Sequence, residues 1–207
     1  MANIQIINAD CMEAMVLMKD KEFDLAICDP PYNIVSQLVR GIGSRIDPSG
    51  KMNEWNHKKP DKLYFDELFR VSNCCIIWGA NNFELPPSEY FIIWDKHQTV
   101  ANFASAEYAW TNVKMPAKVF HYSVHQMMRD QRKIHPTQKP VALYQWLLKN
   151  YAKQGDRILD THGGSCSSAI ACDIMGFSAD IYEIDKDYYE AALDRFNRHK
   201  QQQVIDF

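Results

Sequence analysis

The sequence lacks any apolar run approaching the ~20 residues that a membrane-spanning helix needs. Residues 1–10 also lack the basic segment and the apolar core of a secretory signal. We therefore expect a cytoplasmic protein with no membrane partner.

The sequence also lacks cysteine pairs at metal-ligand spacing. Its six cysteines stand at positions 11, 28, 74, 75, 166 and 172, and several lie within apolar, strand-like runs. Reduced and mostly buried thiols are the expectation for such residues, and we predict no metal site.

An overall positive charge is missing as well, since the formal net charge is -3. Two local segments are nevertheless basic. Residues 113–140 contain six basic residues against Asp130, and residues 40–59 contain five against Asp47 and Glu54. These segments indicate either a phosphate-binding face or solvated loops. The basic residues are Arg40, Arg45, Lys51, Lys58, Lys59, Lys114, Lys118, Arg129, Arg132, Lys133 and Lys139.

The length of 207 residues and an apolar content of 46% are typical of one globular domain, and we find no internal repeat or linker. Strand-like and helix-like segments alternate, which predicts an α/β sheet covered on both faces. The predicted strands are 3–7, 23–28, 74–78, 90–94, 106–111, 118–122, 157–159 and 179–182. The predicted helices are 11–18, 61–71, 140–152, 167–175 and 186–200. Residues 33–59 predict a long mobile loop, and 127–135 are basic and without periodicity.

The most informative stretch is Asp29-Pro30-Pro31-Tyr32, which follows the apolar strand 23–28. Proline fixes φ and donates no hydrogen bond, so this strand end holds a rigid backbone whose carbonyls can accept. A carboxylate, a fixed carbonyl and an aromatic ring at one point suit a planar base that carries an amino group. A proline-rich turn is the alternative.

A second stretch runs from Asp160 through Gly163 and Gly164 into a helix. Glycines between a strand and a helix let the backbone approach a ligand. The pattern G-x-G-x-x-G for a pyrophosphate is absent, but Glu183 ends the next strand and suits ribose hydroxyls. This combination favours a nucleoside without a pyrophosphate. A third stretch, His135 to Pro140, has a proline at positions 136 and 140 and comes just before a predicted helix. At the start of that helix, Thr137 and Lys139 could bind the carboxylate of a ligand.

These three stretches, in this order and separation, resemble the β-group of S-adenosylmethionine-dependent DNA amino-methyltransferases. The resemblance implies a single three-layer, Rossmann-like methyltransferase domain over residues 1–207, with the catalytic half before the cofactor half. It also implies a mostly parallel sheet of seven strands with one antiparallel strand. In that family Asp-Pro-Pro-Tyr accompanies adenine N6 methylation more often than cytosine N4 methylation.

The resemblance also implies roles for individual residues. The base would be held by Asp29, Pro30, Pro31 and Tyr32. For S-adenosylmethionine, Asp10 and Cys11 would lie near the adenine, Glu183 at the ribose, and Thr137 and Lys139 near the carboxylate. The methionine end would meet Asp160, Gly164 and Ser165, and the cofactor set also includes Asp29, Thr161 and Gly163.

The sequence departs from the family pattern beside the cofactor turn. Thr161 and His162 stand where the family usually has Pro-Phe, and Cys166 replaces its second glycine. A side chain at Cys166 is therefore expected to point into the cofactor loop and to weaken cofactor affinity.

We predict from these features a site-specific DNA adenine-N6 methyltransferase that flips its target base out of the duplex. Residues 113–134 would form a short basic target-recognition insertion, and a homodimer is consistent with the family. The alternatives are an RNA amino-methyltransferase, a cytosine-N4 DNA methyltransferase and a non-catalytic relative with a weakened cofactor site. A dinucleotide oxidoreductase fits less well, because its phosphate-loop pattern is missing.

Overall fold

The computed structural model describes residues 2–32, 59–98, 104–130, 132–135 and 137–205. The predicted loop 33–59 lies, except for Lys59, outside the described residues, and so do Arg40, Arg45, Lys51 and Lys58. Within the described residues, no helix combines the length and the apolar character needed to cross a membrane.

Strands and helices alternate through most of the described chain. The strands are β1 (Ile4–Ile7), β2 (Phe23–Cys28), β3 (Ser72–Trp78), β4 (Phe91–Asp95), β5 (Ala106–Thr111), β6 (Lys118–His121), β7 (Arg157–Asp160) and β8 (Ser178–Tyr182). The helices are α1 (Cys11–Leu17), α2 (Lys62–Val71), α3 (Val124–Asp130), α4 (Val141–Tyr151), α5 (Ser167–Met175) and α6 (Lys186–Ile205).

In the described part of the chain, eight strands form one sheet in the order β1-β8-β7-β2-β3-β5-β4-β6. Only β5 among them runs antiparallel to its neighbours, so the carboxyl ends of the other seven lie at one edge. The mostly parallel α/β fold with one antiparallel strand is confirmed. The strand number is eight rather than the seven implied by the resemblance, which agrees with the eight strand-like segments of the sequence.

Side chains that alternate along the central strands build two cores, one on each face of the sheet. Leu25 and Ile27 of β2 belong to the core that includes α4 and α5, whereas Ala26 and Cys28 belong to the core that includes α1 and α2. These two helical layers around the sheet make the predicted three-layer architecture.

One segment differs from the sequence prediction. Val124–Asp130 forms α3, where we expected 127–135 to be irregular because its apolar residues show no helical period. Ser123 helps to begin this helix, since its Oγ accepts a hydrogen bond from the His125 backbone N–H at 3.2 Å and its carbonyl accepts one from Met127.

The order of the sheet reverses between β7 and β2, which lie side by side in parallel register. The chain continues from β7 towards β8 on one side and from β2 towards β3 on the other. Ligands of open α/β sheets bind at such a switch point, beyond the carboxyl ends of the strands. The fold therefore places Asp29 and the turn after Asp160 next to each other.

Candidate active site

A cavity of about 530 Å³ opens at this switch point. The segments that follow β2 and β7 share it, with Asp29 after β2 and residues 161–165 after β7 in its lining. Of the predicted site residues, those lining the cavity are Asp10, Cys11, Asp29, Pro30, Pro31, Tyr32, Thr137, Lys139, Thr161, Gly163, Gly164, Ser165 and Glu183. Asp160 does not line the cavity and is buried behind the turn.

Asp29 belongs to a chain of charges in which Lys139 is buried and Asp29, Lys96 and Glu107 are partly buried. The Lys139 ammonium pairs with Asp29 Oδ2 and lies 3.2 Å from Glu107 Oε2, and Lys96 pairs with the other oxygen of Glu107. Lys139 also lies 5.6 Å from the centroid of the Trp78 ring. Resemblance assigned Lys139 to the cofactor's carboxylate, but the structure holds it against the two protein carboxylates.

Burial and ion pairing oppose each other in this group of charges. Burial raises the pKa of Asp29, and Lys139 offsets only part of that rise. Burial would also raise the pKa of Glu107, but Lys139 and Lys96 together outweigh it and lower that pKa. For Lys139, burial opposes the charged form, while Asp29 and Glu107 raise its pKa above the ordinary value. Lys139 therefore stays charged and favours a charged Asp29.

One oxygen of Asp29 remains unsatisfied. Asp29 Oδ1 is enclosed and has no hydrogen-bond partner among the described residues. An unpartnered buried acceptor is unfavourable by roughly 1–3 kcal/mol, so an incoming N–H donor would be stabilised there.

Tyr32 lies against the end of β3. A side-chain Cβ at Gly79 would lie 2.6 Å from Tyr32 Cε1, so only glycine leaves room for this ring. Gly79 also has a φ of 65°, which glycine adopts without strain. The Tyr32 ring meets Phe83 edge-on at 6.4 Å between centroids. Burial, with the nearby Asp29 carboxylate, raises the pKa of Tyr32 to about 12, so the phenol is neutral.

Asp160 holds the turn that follows β7. Its Oδ2 accepts a 2.6 Å hydrogen bond from Ser168 Oγ, and its Oδ1 accepts one from the His162 backbone N–H. Burial raises the pKa of Asp160 to about 7, although both hydrogen bonds favour the charged form. The structure thus gives Asp160 a supporting position beneath the cavity wall.

The two glycines of the turn fit closely against β8 and the residue that follows it. A Cβ at Gly163 would lie 2.7 Å from Ile181 Cγ2, and the Gly163 N–H donates to the Tyr182 carbonyl at 2.7 Å. Gly164 has a φ of 51°, and its N–H donates to Glu183 Oε2. The other Glu183 oxygen accepts from the Asp185 backbone. Glu183 therefore lines the cavity and anchors the turn at the same time.

The structure places the Cys166 side chain outside the cavity, contrary to the expectation that it points towards the cofactor. Cys166 is fully buried in the core, 3.2 Å from the position of a Cβ at Gly163, and it is absent from the cavity lining. Its backbone adopts a φ of 51°, which turns the chain into α5 and directs the thiol away from the cavity. The thiol therefore packs beneath Gly163 of the loop without entering the cavity, and weaker cofactor affinity at Cys166 stays a prediction.

Thr161 and His162 form a polar cluster with Tyr64 of α2. Thr161 Oγ1 lies 2.7 Å from the Tyr64 hydroxyl and 3.0 Å from His162 Nδ1. Burial lowers the pKa of His162 to about 4, so the ring is neutral at pH 7. This cluster braces the turn against the helical layer.

His135 supports the turn from the opposite wall. The Thr137 backbone N–H donates to His135 Nδ1 at 3.3 Å, so that nitrogen accepts and the proton sits on Nε2. Burial, with Lys133 and Lys139 nearby, lowers the pKa of His135 to about 3. A Cβ added to Gly164 would lie 3.5 Å from this neutral ring.

Sequence reasoning missed several contributors to this site, among them Lys96, Glu107, Gly79 and Tyr64. Glu107 carries a detectable signal, because it is a charged residue inside the predicted strand 106–111. Gly79 directly follows a buried strand, which also marks a close approach. Tyr64 fits the apolar pattern of its helix and gives no such signal.

The sequence and the fold were compared with those of known proteins. A family model described as DNA methylase matches residues 89–194, about half of the chain. The Type II methyltransferase M.HpaI of Haemophilus parainfluenzae is 25% identical over 236 residues, covering 93% of this chain and 74% of that protein.

Two solved structures resemble the fold. The complex of M1.HpyAVI with SAM matches with a TM-score of 0.61 at 21% identity, covering 93% of this chain and 99% of that chain. The PvuII DNA methyltransferase, described as cytosine-N4-specific, matches with a TM-score of 0.61 at 12% identity, covering 94% of this chain and 86% of that chain. At these identities the two structures support the architecture alone.

Proposed function

The chain belongs to the DNA methylase family of N6 and N4 amino-methyltransferases, and from that membership we propose that it methylates the N6 amino group of adenine in duplex DNA, using S-adenosylmethionine. The observation that carries this proposal is the shared cavity. Asp29 and the turn of residues 161–165 line one space, so an acceptor for amino protons adjoins a glycine-lined cradle.

The residues along the carboxyl edge fit the cofactor in order. Asp10 follows β1, Glu183 follows β8, the glycine turn follows β7 and Asp29 follows β2, which is the order of the strands in the sheet. Three strand spacings of about 4.8 Å give roughly 14 Å, enough for an extended nucleoside bearing an amino-acid side chain. Close backbone approach at Gly163 and Gly164 supports this fit. When bound, S-adenosylmethionine supplies a methyl group on a positively charged sulfur.

Asp29 would act on the base. The amino nitrogen of adenine is a poor nucleophile because its lone pair is conjugated with the ring. The unpartnered Oδ1 of Asp29 and the Pro30 carbonyl would accept hydrogen bonds from the two amino N–H groups and draw the nitrogen towards a tetrahedral geometry. As the methyl group moves from sulfur to nitrogen, the nitrogen would lose one proton to the Asp29 carboxylate, and S-adenosylhomocysteine would leave. The raised pKa of Asp29 makes it a better proton acceptor than an exposed aspartate. Lys139 would keep the carboxylate charged and fixed in position.

Tyr32 would hold the base by stacking. A base inside a duplex is out of reach, so the target must be flipped out, which costs a few kcal/mol. Stacking of the extruded base on an aromatic ring contributes about 1–3 kcal/mol. The Gly79 contact fixes the Tyr32 ring beside Asp29 for this purpose.

The basic insertion would contact the DNA backbone. Arg129, Arg132 and Lys133 are exposed within residues 113–134. Arginine and lysine contacts with phosphates position a duplex without reading its sequence. We propose residues 113–134 as the target-recognition segment on this ground.

The identity of the methylated base tests the proposal directly. Plasmid DNA would be incubated with the protein and S-adenosylmethionine carrying an isotope-labelled methyl group, digested to nucleosides and analysed by mass spectrometry. We expect labelled N6-methyldeoxyadenosine. Labelled N4-methyldeoxycytidine would overturn the choice of base, and label only in a parallel structured-RNA sample would overturn the choice of DNA.

Cytosine N4 is the second candidate, because a cytosine-N4-specific enzyme shares the fold at a TM-score of 0.61. The aspartate of Asp-Pro-Pro-Tyr favours adenine by resemblance, and the fold favours neither base. Direct sequencing of the same plasmid with detection of modified bases would give the recognition sequence in either case.

A further inference from the structure

Two histidines and an aspartate meet at the carboxyl edge of the sheet, away from the cavity. Asp95 ends β4 and His121 ends β6, and the parallel register pairs these two residues directly. His97 follows two residues after Asp95. It adopts a φ of 46°, and its N–H donates to Asp95 Oδ1 at 2.9 Å. The cluster is thus built from two paired strand ends and one tight turn.

Three possible ligand atoms of this cluster lie close to one another. His121 Nδ1 lies 3.0 Å from Asp95 Oδ2, His97 Nε2 lies 3.4 Å from the same oxygen, and the two ring nitrogens are 3.4 Å apart. Ligand atoms about 2.0–2.1 Å from a tetrahedral zinc ion are roughly 3.3–3.4 Å from one another. Two of the three separations match one face of a tetrahedral coordination shell, and the third, between His121 Nδ1 and Asp95 Oδ2, is about 0.3 Å shorter.

Although cysteine spacing predicted no metal site, we propose that Asp95, His97 and His121 bind a divalent transition-metal ion of the zinc type. Two imidazoles and a carboxylate suit Zn²⁺, whereas Mg²⁺ and Ca²⁺ prefer all-oxygen sites. Asp95 is partly buried and both histidines are exposed, so the fourth position faces solvent. This site is distinct from the cavity, since none of its three residues lines it.

The ion would brace the chain where it leaves the sheet. The Tyr122 N–H donates to the Asp95 carbonyl, and the Val124 N–H donates to the Lys96 carbonyl. These bonds already tie the end of β4 to the segment that enters α3. A metal bridge between Asp95, His97 and His121 would add a third link at the same place, so its main effect would be on stability.

Zinc titration of the protein tests the site. The protein, without a histidine tag and after treatment with a chelator, would be titrated with Zn²⁺ by calorimetry. We expect one ion per chain and a higher melting temperature in the presence of zinc. Replacement of the zinc by Co²⁺ should give the intense visible absorption of a tetrahedral or five-coordinate centre.

Variants assign the ligands. His97→Ala, His121→Ala and Asp95→Ala should each weaken Zn²⁺ binding by at least about tenfold. Loss of a residue that only supports a metal ligand already weakens metal affinity by about that factor. His125→Ala is the matched control, because His125 is an exposed histidine close in sequence and outside the cluster. Circular dichroism checks that each variant folds. Equal loss of binding in His125→Ala, or binding that survives all three substitutions together, would show only a hydrogen-bonded surface cluster.

Discussion

Lys139 differs most from its predicted role, because it contacts protein carboxylates where the resemblance implied the carboxylate of the cofactor. It pairs with Asp29 and Glu107 inside the protein, so its charge acts on the base-binding side of the cavity. Breaking a buried ion pair by removing one partner is usually strongly destabilising, by about 3–5 kcal/mol. Lys139 therefore links the stability of the fold to the protonation state of Asp29.

Gly79→Ala tests the placement of Tyr32. The new Cβ would collide with the Tyr32 ring at 2.6 Å, so the ring must move. We expect kcat/KM for DNA to fall roughly tenfold to a hundredfold, the range that corresponds to loss of base stacking. Steady-state methyl-transfer kinetics measure this.

Gly155→Ala is the control for that substitution. Gly155 also has a positive φ, of 97°, but a Cβ there meets nothing within 4 Å. Both variants place alanine at a positive φ, which is unfavourable for a residue with a Cβ, but only Gly79→Ala displaces the Tyr32 ring. Similar kinetic losses in the two variants would contradict the role given to Tyr32.

The raised pKa of Asp160 should make the stability of the protein depend on pH. Its folded pKa, about 7, lies above the ordinary value of 3.8, so between those values the folded state binds the extra proton. The stabilisation is complete below pH 4 and is lost as the pH rises towards 7. Asp160→Asn has no such proton, so from pH 5 to pH 8 its stability should rise relative to wild type by on the order of 2 kcal/mol.

Urea unfolding of both proteins at the two pH values measures this difference. Asp187→Asn, which changes an exposed aspartate, should move in parallel with wild type. A constant difference between Asp160→Asn and wild type would mean that Asp160 is ionised throughout.

At the scale of elements, the turn between β7 and α5 packs closely against the core side of β8. Gly163→Ala would place a Cβ 2.7 Å from Ile181 Cγ2, a core atom of β8 that cannot easily move. We expect a loss of about 1–3 kcal/mol in stability and at least tenfold weaker binding of S-adenosylmethionine, because the whole turn must shift. Calorimetric titration with the cofactor measures the affinity.

Gly176→Ala changes the other end of the same helix. Gly176 ends α5 with a φ of 77°, and a Cβ there would approach only Gln154, at 3.6 Å. It should reduce stability while leaving cofactor affinity unchanged. If both variants bound the cofactor as well as wild type does, the turn would not be the cradle.

Most helices and strands could be predicted from the sequence, because the spacing of their apolar residues and the residues at their ends indicate the same element. Asp10 and Asp61 cap α1 and α2 through their side chains, and Gly176 ends α5. The helix α3 was missed because its packing, not its own apolar pattern, stabilises it. The partners of Lys139 were missed for a related reason, since the contact with Glu107 joins two segments distant in sequence.

At the scale of the whole molecule, a net charge of -3 must coexist with DNA binding. Three exposed basic residues, Arg129, Arg132 and Lys133, stand in the proposed recognition segment. The logarithm of the DNA affinity should fall linearly with the logarithm of salt concentration, with a slope of about -0.9 for each phosphate contact.

Replacing all three residues with glutamine should make that slope shallower by about 2–3. Fluorescence anisotropy with a labelled duplex at several salt concentrations measures it. Replacing Lys149 and Lys153, exposed residues near the amino-terminal edge of the sheet, should leave the slope unchanged. An unchanged slope in the first variant would move the DNA contacts away from residues 113–134.

The measurement that tests the central claim most directly separates methyl transfer from cofactor binding in Asp29→Ala. The claim is that Asp29 acts on the base while the turn after Asp160 holds S-adenosylmethionine. Calorimetry should give a cofactor affinity within roughly tenfold of wild type, and single-turnover assays should show at least a hundredfold slower transfer. Transfer at the wild-type rate in Asp29→Ala would contradict the account.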